Sequence, residues 1–106
     1  LFTVLAKEAL GKASTFAPRA LANVVWAYTV ANAVDKPLFD ALATQAASTL
    51  REYAPREVAN VVWAYAKAGV KAPLLFDAVS VSIVLNIQGY TGQDLANTAW
   101  AFTTLG

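Results

Sequence analysis

The sequence predicts an all-α fold, a right-handed α-solenoid of three helical hairpins, and three observations predict it. The string Leu21-Ala22-Asn23-Val24-Val25-Trp26-Ala27-Tyr28 recurs as Val58-Ala59-Asn60-Val61-Val62-Trp63-Ala64-Tyr65 and as Leu95-Ala96-Asn97-Thr98-Ala99-Trp100-Ala101-Phe102, 37 residues on each time. The same step links Phe2, Phe39 and Phe76, and again Phe16, Tyr53 and Tyr90, so the register holds outside the motif. No strand pattern or Asn-Gly hairpin turn competes with the helical spacing. Three units are about the minimum for a stack that buries a shared core. The units fall at residues 1–34, 35–71 and 72–106 of a single domain. The chain opens inside an apolar periodic run and closes just after another, which reads as a piece of a longer solenoid.

Each unit reads as two helices. The first covers roughly residues 2–11, 38–50 and 75–87, with Pro37 and Pro73 near two of the starts, where a missing N–H leaves no helical bond unmade. The second opens with a recurring device. Phe16, Tyr53 and Tyr90 stand five residues ahead of Leu21, Val58 and Leu95, the spacing of a hydrophobic staple. Pro18 and Pro55 take the first helical position, while the third unit places Thr91 as cap with Asp94 three residues on, a capping box with Asp for Glu. The second helices are expected to close at Asn32, Gly69 and Gly106, residues that tolerate the left-handed backbone of a helix end.

The faces of the second helix separate core from surface. At about 100° per residue, Leu21, Val24, Val25 and Tyr28 form one apolar stripe, widened by Ala22, Ala27 and Trp26. A helix so apolar all round is expected to lie between neighbours, with Trp26, Trp63 and Trp100 as packed core side chains filling the gap between units. The remaining stripe is polar. Positions i, i+4 and i+11 give Arg19, Asn23 and Val30, then Arg56, Asn60 and Lys67, then Gln93, Asn97 and Thr104. The Asn is the same in every unit, as a side chain that satisfies a fixed backbone group between helices would be. Its varying neighbours are better placed to read a ligand unit by unit.

Composition removes most chemistry. The 106 residues include no cysteine and no histidine, so there is no disulfide frame, no thiolate or imidazole metal site, and no nucleophile that relies on either. Asp40 and Asp77 sit one period apart near first-helix N-termini, where they complement the helix dipole; this is repeated structure, and neither catalysis nor a cofactor is expected. The longest uncharged stretches fall short of the roughly 18 apolar residues of a membrane span. A net charge of +1 supplies no polybasic footprint, so a bound polyanion must be held by local geometry.

The period and the Leu-Ala-Asn-x-x-Trp-Ala-Tyr/Phe motif resemble the heptatricopeptide repeats, and the related octotricopeptide repeats, of organellar RNA-binding proteins known from algae and apicomplexan-type protists. The resemblance covers essentially the whole chain. The Pro-Pro-Pro-Glu-Trp signature of octotricopeptide repeats is replaced here by Pro18-Arg19-Ala20-Leu21 and Pro55-Arg56-Glu57-Val58, so the 37-residue relatives fit better. Armadillo repeats also combine Trp and Asn, but in a longer unit of about 40–47 residues. The resemblance implies a chloroplast or mitochondrial protein acting in RNA maturation, stability or translation, or a subunit of an organellar ribosome.

Two functions follow as expectations. In one, single-stranded or ribosomal RNA is read at about one base per unit, with Arg19, Arg56 and Lys67 on phosphates or stacked on bases and Asn or Gln on base edges. In the other, the stack is a scaffold for protein subunits. Alignment of the first helices favours the second: the outer face holds Thr44, Ala47 and Ser48 in unit two but Val81, Val84 and Leu85 in unit three, an apolar patch of the kind that meets a partner.

Overall fold

Six α-helices carry most of the chain in the computed structural model, which describes residues 1–105. They are α1 (Phe2–Gly11), α2 (Pro18–Val30), α3 (Lys36–Ser48), α4 (Pro55–Ala68), α5 (Pro73–Leu85) and α6 (Gly92–Leu105), with no strand among the described residues. No helix among them is long and apolar enough to cross a membrane.

Local chemistry sets the helix bounds. Both α3 and α5 start two residues earlier than expected. At α3 the cause is Asp35, whose carboxylate accepts a 3.0 Å hydrogen bond from the Leu38 N–H and caps the helix with Pro37 in its first turn. Helix α1 ends at Gly11 as expected, while α3 and α5 end earlier, and a short 3-10 turn follows the first helix in each unit: Ala13–Thr15, Leu50–Glu52 and Ile87–Gly89. Leu50 and Ile87, expected at helix ends, fall in these turns.

The second helices start as the motif predicts. Pro18 and Pro55 are the first residues of α2 and α4, preceded by Ala17 and Ala54 as caps, so Phe16 and Tyr53 occupy the staple position. Ala54 has no side-chain oxygen, but Glu57 Oε1 accepts its N–H at 2.8 Å and supplies half of a capping box. In unit three the box is complete: the Asp94 N–H donates to Thr91 Oγ1 and the Thr91 N–H to Asp94 Oδ2, both at 3.1 Å. The helix ends also repeat. Asn32 and Gly69 adopt left-handed backbones, with φ of 54° and 73°, and the following N–H groups of Ala33 and Val70 return to the carbonyls of Tyr28 and Tyr65. Gly106, the third expected terminus, lies outside the described residues.

Helix α4 packs between α2 and α6, and α3 between α1 and α5, so second helices meet second helices and first meet first. An aromatic pair rivets each unit. Phe2 meets Tyr28, Phe39 meets Tyr65 and Phe76 meets Phe102, with ring centroids 5.1, 5.0 and 4.8 Å apart. In the first two units the tyrosine hydroxyl also donates to the backbone carbonyl of its phenylalanine. Leu21, Val25, Leu38, Leu42, Val58, Val62 and Leu75 complete the core.

Trp26 and Trp100 do not belong to that core, and Trp63 packs against its edge. Trp26 is 50% and Trp100 43% exposed, and Trp63 is half-buried at the core margin. Burial of Leu21, Val25 and Tyr28 sets the inward direction of α2, and Trp26 lies about 100° beyond Val25 around the helix. A second helix has neighbours before it, after it and in the first-helix layer; its fourth side is open. The expectation of a helix enclosed on every side fails because Ala22, Ala59, Ala64 and Ala101 of the motif are buried against the neighbouring helices while the open side carries the polar stripe, and a single exposed indole there leaves only a modest apolar area in water.

Candidate nucleic-acid interface

The open side of the second helices holds the residues predicted to form the polar stripe. Arg19, Asn23 and Val30 are exposed on α2; Arg56 and Lys67 are exposed and Asn60 half-buried on α4; Gln93 and Thr104 are exposed and Asn97 half-buried on α6. The tryptophans join them. Counted from Arg19, Arg56 or Gln93, each indole is at i+7, two turns along the same stripe and between Asn at i+4 and the residue at i+11. The spacing i, i+4, i+7, i+11 was readable in the sequence, and the apolar character of Trp concealed it. Indoles of adjoining units approach each other: the Trp63 and Trp100 ring centroids are 6.4 Å apart and tilted by 35°.

Among the described residues the three asparagines make no inter-helix bond. Among the described residues, the Asn23 and Asn60 amides have no hydrogen-bond partner, and Asn97 Oδ1 accepts only from Gln93 Nε2, 3.0 Å away on the same stripe. A fixed backbone partner therefore does not account for the repeated amide. It recurs one turn before an indole in all three units, exposed at Asn23 and half-buried at Asn60 and Asn97.

The cations differ in their freedom. Arg19 and Lys67 form no ion pair among the described residues, whereas Arg56 Nε reaches across to the next unit and donates to Asp94 Oδ1 at 3.1 Å. Asp94 is buried, and its backbone carbonyl also accepts from the Thr98 hydroxyl at 2.8 Å. Burial alone pushes its carboxyl up; hydrogen bonding with Thr91 and Arg56, and the Arg56 charge, outweigh it and hold the carboxyl below the usual carboxylate range. A group whose folded pKa is depressed stabilises the fold at neutral pH, and that contribution is lost as pH falls through the carboxylate range. Asp94→Asn is therefore expected to lower stability at pH 7 by about 1–2 kcal/mol, and to flatten the acid limb of a plot of melting temperature against pH. Parallel acid limbs for variant and wild type would remove Asp94 from this role.

Val81, Val84 and Leu85 are exposed on the outside of α5, beside an open groove of about 310 Å³ that Ser80 also lines. They share no face with the tryptophan stripe. Asp40 pairs with Lys36 on its own helix at 2.8 Å, and Asp77 is exposed on α5. Among the described residues no three His, Cys, Asp or Glu side chains converge as metal ligands.

Set against protein-family models, curated proteins and solved structures, the chain matches no family model, no curated relative and no solved structure.

Proposed function

We propose that the chain is a three-unit right-handed α-solenoid whose second helices bind single-stranded RNA, as a module of an organellar gene-expression factor. One observation carries the reading: an indole recurs at the same position in all three units, exposed at Trp26 and Trp100 and half-buried at Trp63, with an amide one turn before it. An exposed aromatic face takes a stacked base whatever its sequence, an amide can meet a base edge, and a cation on the same stripe can meet the phosphate between. The organelle, and a role in RNA maturation, stability or translation, come from the family resemblance alone. Three bases at about 1–3 kcal/mol each barely offset the cost of association, so three units by themselves bind weakly.

RNA titration at several salt concentrations tests the electrostatic half. Arg19→Gln with Lys67→Gln removes the two unpaired cations and is expected to weaken binding and shrink the salt slope by about 0.7 for each lost phosphate contact. Arg56 is unsuited to this role in the test, because its removal also strands the buried Asp94. Changing Gln93 or Thr104 should shift base preference at one position only. Unchanged affinity and slope in the double variant would overturn the RNA reading. The scaffold reading, a protein-binding subunit of an assembly such as an organellar ribosome, is favoured by the exposed Val81, Val84 and Leu85 and would then stand.

A further inference from the structure

We infer that Asp94 is a positioning residue for RNA, holding the Arg56 guanidinium as a fixed phosphate fork at the boundary between the second and third units. The inference rests on the RNA reading of the open side. Arg19 and Arg56 are one period apart in sequence, yet only one of them is anchored. One period before Asp94 stands Glu57, whose Oε1 accepts the Ala54 N–H at the start of its own helix, and Arg19 forms no ion pair among the described residues. Arg56 instead reaches across to the third unit and is held there by Asp94.

The contact uses only one edge of the guanidinium. Nε donates to Asp94 Oδ1 at 3.1 Å, while the two Nη groups make no hydrogen bond among the described residues and the side chain is 68% exposed. That outer pair is the planar fork that meets two phosphate oxygens at once. Asp94 itself is withdrawn. Its side chain is 3% exposed, Oδ2 accepts the Thr91 N–H, and the carboxylate lies in the first turn of α6, where the helix dipole offsets its charge. The buried anion therefore fixes the cation without turning a carboxylate oxygen towards a phosphate. A free arginine surrenders rotamer freedom when it binds; for Arg56 the fold has already taken it. Trp63 follows two turns later on α4, and its ring is 6.4 Å from that of Trp100 across the same boundary, so a strand laid along the indoles crosses the boundary where the fork stands.

Titration with a labelled uridine-rich single-stranded oligonucleotide at several salt concentrations tests this. Asp94→Asn is expected to weaken binding by about two- to tenfold with the salt slope unchanged, since Arg56 keeps its charge and loses its anchor. If Asp94 contributed only its charge, removing an anion beside the phosphates would tighten binding instead. Arg56→Lys keeps the charge and a partner for Asp94 but has no planar outer edge, and should weaken binding with the slope likewise unchanged. Adding Asp94→Asn to Arg56→Lys should weaken it no further, because the fork is already gone. Asp94→Asn that binds as tightly as wild type or more tightly, or that weakens binding equally in the Arg56→Lys background, would overturn the proposal. Melting curves check that each variant is folded at the titration temperature; should Asp94→Asn melt there, unchanged affinity in Arg56→Lys overturns it. Arg19→Gln with Lys67→Gln is titrated alongside. Wild-type chain that does not bind, or a double variant that binds as wild type does, removes the RNA reading and this inference together, whereas a response there with none at Asp94 removes the positioning role alone.

Discussion

Tyr65→Ala is expected to unfold most of the chain at ambient temperature. The side chain is fully buried in α4, its ring 5.0 Å from that of Phe39 and its hydroxyl bonded to the Phe39 carbonyl. Truncating a buried aromatic costs about 3–5 kcal/mol through lost transfer and the cavity left behind. Loss of the hydroxyl's hydrogen bond to the Phe39 carbonyl adds about 0.5–1.5 kcal/mol. A domain of this length is stable by only about 5–15 kcal/mol, so the loss removes a large part of the whole. Burial raises the Tyr65 hydroxyl well above the usual phenol range, so it remains a neutral donor at any pH the fold tolerates. Tyr65→Phe should retain the ring and lose only about 0.5–1.5 kcal/mol. Unit three already carries Phe102 at the equivalent position. Urea denaturation measures all of these. Trp26→Ala is the contrast, expected within about 1 kcal/mol of wild type because the indole is half in water. A Trp26 variant as damaged as the Tyr65 variant would contradict the division between core and surface.

The largest functional effect is expected from the tryptophans themselves. Trp26→Ala with Trp100→Ala removes the two most exposed indoles and leaves the half-buried Trp63 in place. Loss of a base-stacking platform costs about 1–3 kcal/mol for each base, so RNA affinity should fall by at least about tenfold for two sites. Quenching of tryptophan fluorescence by a short uridine-rich oligonucleotide reads out wild-type binding, and a labelled oligonucleotide reads out the variant. Conservative replacement by Phe or Tyr should restore part of the affinity, since a smaller ring still offers a face. Equal binding by the alanine variant and wild type would mean that the indoles are not where RNA lies.

The repeat made most of the helical framework readable, because a 37-residue step identifies equivalent positions without any knowledge of contacts. Pro18, Pro55, Thr91 and Asp94 marked the second-helix starts correctly, since each works through local chemistry that a neighbouring residue in sequence completes. The 3-10 turns at Ala13–Thr15, Leu50–Glu52 and Ile87–Gly89 were hidden, because apolar spacing continues through them without a break. Trp26 and Trp100 depart from the core reading for a different reason. Periodicity shows which residues share a face, but not how many neighbours the helix has, and Trp26 reads as core or surface according to that number. The partnerless Asn23 and Asn60 and the cross-unit Arg56–Asp94 pair depend on distances between elements, which no spacing within one helix encodes.

The layering of first on first and second on second helices also bears on how the chain reaches its structure. Substantial contacts join elements of the same or adjoining units and most touching pairs are close in sequence, so the mean sequence separation between touching residues stays well below one period. Low contact order of this kind places the chain among rapid folders, since little loop entropy is spent before the first contacts form. Within residues 1–105, α3 and α4 of the middle unit each pack between two neighbours and share the Tyr65–Phe39 rivet, which makes that unit the natural nucleus of the three.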